Sequence, residues 1–125
     1  MTEGRSPAPP RGLGKRGRAF WRRLHEDYEF ELAQTEVLLE ACRTLDRLEA
    51  LDAVIADEGV TATGSMGQRI VHPAVAEARQ LQITLTRLVA ALELPPSEDE
   101  AREYERWKTQ RAKAGAAARG LRAVN

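Results

Sequence analysis

A mainly α fold is predicted: a helical hairpin with a small β-hairpin insertion, preceded by a short N-terminal helix and followed by a C-terminal helix. Three observations carry that expectation. Leucines recur at spacings of three and four over two long stretches, one ending at Gly59 and one opening after His72-Pro73. Two short β-branched runs lie between them, with Gly64 and Gly67 at the turn. Prolines stand where helices start or stop, at Pro73 and at Pro95-Pro96. A chain of 125 residues has room for one small domain plus tails. The expected organisation is a flexible basic arm over 1–16, a helical core carrying an oligomerisation hairpin over 17–94, and a C-terminal helix and tail over 95–125.

Taken in order, residues 1–16 hold most of the prolines and several glycines with few large apolar groups. Such a stretch cannot bury enough surface to order itself. Phe20, Leu24 and Tyr28 then recur at helical spacing beside Trp21, which predicts a short helix from about Gly17 to Asp27. Trp21 reads as a core residue and His25 as a surface residue of that helix. Phe30 and Leu32 fall in the connector. The second helix is expected to start near Thr35, a suitable N-cap followed by Glu36. Its stripe runs Leu38, Ala41, Leu45, Leu48, Leu51 and Ile55, and Gly59 supplies the left-handed residue that ends it.

Val60–Thr63 and Arg69–Val71 form the hairpin. His72 caps the third helix and Pro73 is its first residue, where a missing N–H costs nothing. That helix alternates four-three through Ala74, Ala78, Leu81, Leu85, Leu88 and Leu92, widened by Val75, Ile83 and Val89. A stripe this wide and this poor in charge exceeds what one partner helix requires, which points to packing between subunits. Ser97 followed by Glu100 is a capping-box signal for the fourth helix. That helix carries Tyr104 and Trp107 but alternating charges elsewhere, and its alanine- and arginine-rich end from Ala114 is expected to fray.

The formal net charge is zero, but charge is sorted along the chain. Between Met1 and Arg23 seven cations oppose Glu3 alone, a net of six positive charges. From Leu24 to Glu58 eleven acids oppose Arg43 and Arg47, a net of nine negative charges. A basic arm beside an acidic body implies a polyanionic partner held at one place. Arg11, Lys15, Arg16, Arg18, Arg22 and Arg23 are the candidate DNA contacts, because each cation that reaches a phosphate releases counterions. With 42% hydrophobic residues, many of them alanine, the monomer core is thin, and burial between copies is the natural supplement. The residues for it are Leu38, Leu45, Leu48, Ile55, Val75, Leu81, Leu85, Leu88 and Leu92.

Catalytic and cofactor chemistry is not expected. Gly12-Leu13-Gly14-Lys15-Arg16-Gly17 fits a dinucleotide-binding pattern and precedes a helix, but no strand leads into it. A phosphate loop fails too, since Pro9 replaces its first glycine and Arg16 its Ser or Thr. His25 and His72 lack metal partners at ligand spacing, and no Ser, His and Asp set suggests a nucleophile. No cofactor and no metal are therefore assigned. Cys42, the single cysteine, sits among Leu38, Leu39 and Leu45 and reads as a buried thiol. No apolar run is long enough to span a membrane and there is no signal-peptide core, so no membrane contact is expected.

The ordered set of helix, β-hairpin and helix resembles the core of the bacteriophage terminase small subunits. The phrases ACRTLDRLEALDAVIADEG and VHPAVAEARQLQITLTRLVAALEL carry most of the likeness. The family often has Asn before the proline that starts the third helix, where this chain has His72, a conservative change in capping. The resemblance implies a ring-shaped homo-oligomer, not an enzyme, acting in the bacterial host cytoplasm as a phage or prophage protein. It would bind the packaging site on double-stranded viral DNA and recruit and regulate the terminase large subunit, which carries the ATPase and the nuclease. The helical hairpin would build the ring walls, and the segment after Pro96, with Tyr104, Trp107 and Arg111, would contact the large subunit. Two other classes stay open: a small helix-turn-helix DNA-binding regulator, and a non-enzymatic helical adaptor whose arginines only solubilise it. A ring with salt-dependent DNA binding would separate the first reading from both.

Overall fold

The computed structural model describes residues 6–124, with side chains described as far as Ala118. Four helices and one β-hairpin follow in the order α1 (Lys15–Asp27), α2 (Leu32–Glu58), β1 (Thr61–Thr63), β2 (Arg69–Val71), α3 (Pro73–Ala91) and α4 (Glu98–Val124). The chain divides into two compact units, one ending at Leu94 and one beginning at Pro95. The mainly helical class with a small β insertion is therefore the observed one.

In the first unit α2 and α3 form an antiparallel pair tied at both ends. At one end Gln34 Nε2 donates to the Leu92 carbonyl at 3.2 Å. At the other His72 Nε2 lies 3.3 Å from Glu58 Oε1. His72 also caps α3, its Nδ1 accepting from the Ala74 N–H at 3.0 Å. An accepting Nδ1 puts the ring proton on Nε2, so the same tautomer caps one helix and donates to the end of the other. Between them β1 and β2 pair antiparallel, Thr61 with Val71, Ala62 with Ile70 and Thr63 with Arg69. The turn closes through the Gly67 N–H on the Gly64 carbonyl, and Gly67 takes φ +81°, a value that favours glycine.

α2 begins earlier than Thr35. Glu31 is its N-cap and forms a reciprocal capping box with Gln34, whose Oε1 accepts from the Glu31 N–H at 3.1 Å. Thr35 lies inside the first turn, its Oγ1 donating back to the Glu31 carbonyl at 2.9 Å. An acid-and-amide box satisfies two end donors where a threonine cap would satisfy one. Leu32 is accordingly a helical residue, largely exposed. In the last helix the capping box forms as expected: Glu100 N–H donates to Ser97 Oγ and Ser97 N–H to Glu100 Oε2, each at 3.2 Å. The helix runs to Val124, through the alanine-rich stretch after Ala114, where alanine's high helix propensity offsets two glycines.

The core of the first unit gathers Leu13, Trp21, Leu38, Cys42 and Leu92, with Phe20, Leu24, Phe30, Val37, Leu39 and Leu94 packed around them. Trp21 and Cys42 are buried, as expected. His25 is not a surface residue. It is half-buried, its Nδ1 2.8 Å from the Trp21 carbonyl oxygen, its ring stacked obliquely on Trp21 at 4.6 Å and edge-on to Phe30 at 5.1 Å. The Phe30 side chain folds back from the connector and supplies the apolar wall that hides the imidazole. On α3, Ala74 and Ala78 are buried, as is its C-cap Leu92, while Val75, Leu81, Leu85, Leu88 and Val89 are half-buried in the single chain. Ile83 is exposed, since a position two residues from Leu81 lies roughly 200° around the helix.

Candidate nucleic-acid interface

α1 is built against the usual electrostatic preference. Its first turn contains no acid and carries Lys15, Arg16 and Arg18 at the positive end of the helix dipole. Its N-cap is Gly14, which has no side chain to offer the free N–H groups. Both deficits are met from α2. Asp46 Oδ2 accepts the Gly14 N–H at 2.6 Å and Asp46 Oδ1 accepts the Gly17 N–H at 2.7 Å. Gly14 is the N-cap and Gly17 the third helical residue, so one carboxylate from another helix does both halves of a capping box.

The glycines of the 12–17 motif have their explanation here. Gly12 takes φ +94° and turns the chain into the helix. A Cβ at Gly14 would lie 2.9 Å from Asp46 Oδ1, and one at Gly17 would lie 2.5 Å from Asp46 Oδ2 and 2.8 Å from the Cys42 carbonyl oxygen. The motif serves close helix-on-helix approach, and the anion at this helix N-terminus is the protein's own carboxylate. Asp46 is the residue that sequence reading missed. Its partners are 32 and 29 positions away, and nothing in a local pattern links them. Burial, and then the nearby Asp46 carboxylate, push the Cys42 thiol up to about 11.

Two points of the basic arm touch the helical core. Trp21 Nε1 donates to the Pro7 carbonyl at 2.9 Å, Leu13 is buried in the core, and the Arg18 guanidinium donates to the Leu13 carbonyl. Within the 1–16 segment, Pro7 and Leu13 thus contact α1 and the core. One aromatic donor and one leucine supply the anchorage that a proline- and glycine-rich composition hides. Residues 1–5 lie outside the described part of the chain.

All six candidate DNA contacts are exposed. Lys15, Arg18 and Arg22 stand at i, i+3 and i+7 and so share one face of α1. Arg16 and Arg23 stand on the neighbouring face and are engaged by acids: Arg16 with Glu49 at 3.6 Å, Arg23 with Glu26 at 2.8 Å and Asp27 at 3.4 Å. Both flank an apolar groove of about 450 Å³ floored by Ala19, Phe20, Leu45, Leu85 and Val89. Among the described residues, Arg11, Lys15 and Arg22 make no ion pair. Arg18 gives its hydrogen bond to a neutral carbonyl and keeps its full charge. The structure thus separates an open cationic stripe from a neutralised pair that the sequence left in one list.

In the second unit Tyr104 and Trp107 pack ring to ring at 5.6 Å and are about half exposed. The Arg111 guanidinium lies over Trp107 at 5.2 Å, so the three residues named for a large-subunit contact adjoin one another. Among the described residues no three His, Cys, Asp or Glu side chains converge as a metal site, and no helix is long and apolar enough to cross a membrane. Residues 17–106 match the family model described as phage terminase, small subunit. Neither a curated protein nor a solved structure matches the chain.

Proposed function

The chain belongs to the phage terminase small-subunit family, and from that premise we propose that it is the ring-forming component that recognises viral packaging-site DNA and recruits the large ATPase–nuclease subunit. It works in the cytoplasm of the infected bacterium and catalyses nothing itself. The observation that carries the DNA reading is the exposed stripe of Lys15, Arg18 and Arg22 on a helix whose position is fixed by Asp46. Lys15, Arg16 and Arg18 crowded on the positive end of a dipole are unfavourable for α1 alone, and local rules are broken where function asks for it. The acidic surface of α2 repels phosphates and leaves the Pro7–Arg23 segment as the docking side. The half-buried leucines of α3 supply the apolar face for neighbouring copies, and Tyr104, Trp107 and Arg111 an aromatic-cationic patch for the large subunit.

The test is the salt dependence of duplex binding. The log–log slope is about −0.9 per phosphate neutralised. Changing Lys15, Arg18 and Arg22 together to Gln should weaken binding at least tenfold and flatten that slope, with the ring intact by native mass spectrometry. Equal affinity and slope in the triple variant would remove α1 as the DNA site. Specific binding of a short palindrome by a dimer would replace the packaging reading with a transcriptional regulator. The purified protein should hydrolyse no ATP and cut no DNA with magnesium present; nuclease activity lost on changing Asp57 and Glu58 would refute that.

A further inference from the structure

The net charge of zero hides a second basic block. No acid follows Glu105, while Arg106, Lys108, Arg111, Lys113, Arg119 and Arg122 do, a net of six positive charges over the last twenty residues. This block equals the one at the N-terminus. It lies on α4, whose side chains from Arg102 to Ala118 are all exposed apart from the side-chain-less Gly115. The acids Glu98, Asp99 and Glu100 in its first turn suit the helix dipole, and the dipole alone would explain cations in the last turn. It does not explain Arg106 and Lys108, which sit in the first half of the helix.

The arrangement around the helix axis is more specific than the charge. At 3.6 residues per turn, Arg106 and Lys113 share one face, and Lys108 and Arg111 share a face roughly 180° away. The two sides between them differ: one carries only the small residues Thr109, Ala112 and Ala116, the other Trp107, Gln110 and Ala114. An acidic protein surface is met by one face of a helix and would leave the opposite pair of cations idle. A duplex groove has phosphates on both walls and a floor that a small-residue face can approach closely. The major groove is ~12 Å wide and admits a helix with side chains of this diameter.

We infer that the basic half of α4 is a second DNA-contacting element, laid in a duplex groove with Arg106 and Lys113 toward one phosphate backbone and Lys108 and Arg111 toward the other. This rests on the reading of the chain as a DNA-binding subunit and adds a site that the packaged N-terminal segment does not include. From Arg106 to Val124 the helix spans roughly 28 Å, close to one turn of duplex. Its alanines hold it helical, and the Thr109, Ala112 and Ala116 side offers no bulk that would keep it out of the groove, with Trp107 on the opposite side.

The test uses the full-length protein and a labelled duplex of ~30 base pairs, with affinity read by fluorescence anisotropy between about 50 and 200 mM salt. Changing Arg106, Lys108 and Lys113 together to Gln should weaken binding at least tenfold and flatten the slope by about 0.9 per lost contact. Helix content should not change, since Gln matches Lys and Arg in helix propensity. Two half-variants separate the faces: R106Q with K113Q, and K108Q with R111Q. Each should lose part of the affinity and of the slope. Loss confined to one half-variant would indicate a flat acidic surface and overturn the groove placement. An unchanged triple variant beside a weakened Lys15, Arg18 and Arg22 variant would overturn the inference and leave the DNA reading standing. No duplex binding by the unmodified protein at the lowest salt would sink both.

Discussion

A methyl group added at Gly17 would lie 2.8 Å from the Cys42 carbonyl oxygen, a backbone atom that cannot swing aside. Gly17→Ala should therefore destabilise the protein by about 1–3 kcal/mol, as overpacking does, although alanine is the better helix former. A rise in the urea midpoint would mean that α1 and α2 are less closely apposed. Cys42 makes the second residue-scale prediction. Its thiol is pushed up to about 11 from 9.0, so above pH 9 the unfolded chain gives up this proton while the folded chain keeps it. The native state then binds more protons, and stability falls as pH rises from 9 toward 11. Urea unfolding at pH 7 and pH 10 should show that decline, and Cys42→Ala should remove the part due to the thiol. An equal decline in both proteins would exclude it. The burial of Cys42 was legible from its leucine neighbours. The burial of His25 was not, because the Phe30 ring that covers it comes from a connector without periodicity.

At the scale of elements, α1 is held by a cap it does not own. Removing it with Asp46→Ala should cost about 2 kcal/mol, the sum of a lost cap and two poorly satisfied N–H groups. Gly14 sits at φ −78° and ψ −175°, the extended geometry of an ordinary N-cap. Gly14→Ser alone brings a Cβ against Asp46 and should destabilise. In the Asp46→Ala background the clash is gone, and the serine should restore roughly 1 kcal/mol by capping Gly17 itself. Thermal unfolding of the four proteins forms a double-mutant cycle, and additive losses would refute the cap in trans. The same example marks what sequence can carry. The α3 boundary was readable because His72, Pro73 and the leucine stripe lie next to one another. The α2 start was misplaced by four residues because the Glu31–Gln34 box competes with Thr35. The hydrogen bonds at Pro7 and Gly14 were hidden, since their partners Trp21 and Asp46 are distant in sequence.

For the whole molecule, two basic ends bracket an acidic middle, and the leucine hairpin lies inside that middle. In the proposed ring many weak phosphate contacts would be gathered on one duplex, and their sum would set the affinity. On that proposal the function turns on assembly, and α3 is where it should be broken. Val75, Leu81, Leu85 and Leu88 are only half-buried in the single chain, and Ile83 is open to solvent on the far side of α3. Leu85→Glu with Leu88→Glu places two charges on the partly covered stripe, and should yield monomers or unfolded chains. Those two outcomes differ in cause, so a gentler variant is needed. Ile83→Glu touches a side chain that is already exposed and should leave the fold of each subunit intact by circular dichroism. If the outer side of α3 packs on a neighbouring copy, it should still lower the mass found by native mass spectrometry. Affinity for DNA should fall with it while the salt dependence per subunit stays the same. A well-folded monomer of the unmodified protein at micromolar concentration would remove the ring, and with it the reason for the half-buried leucines of α3.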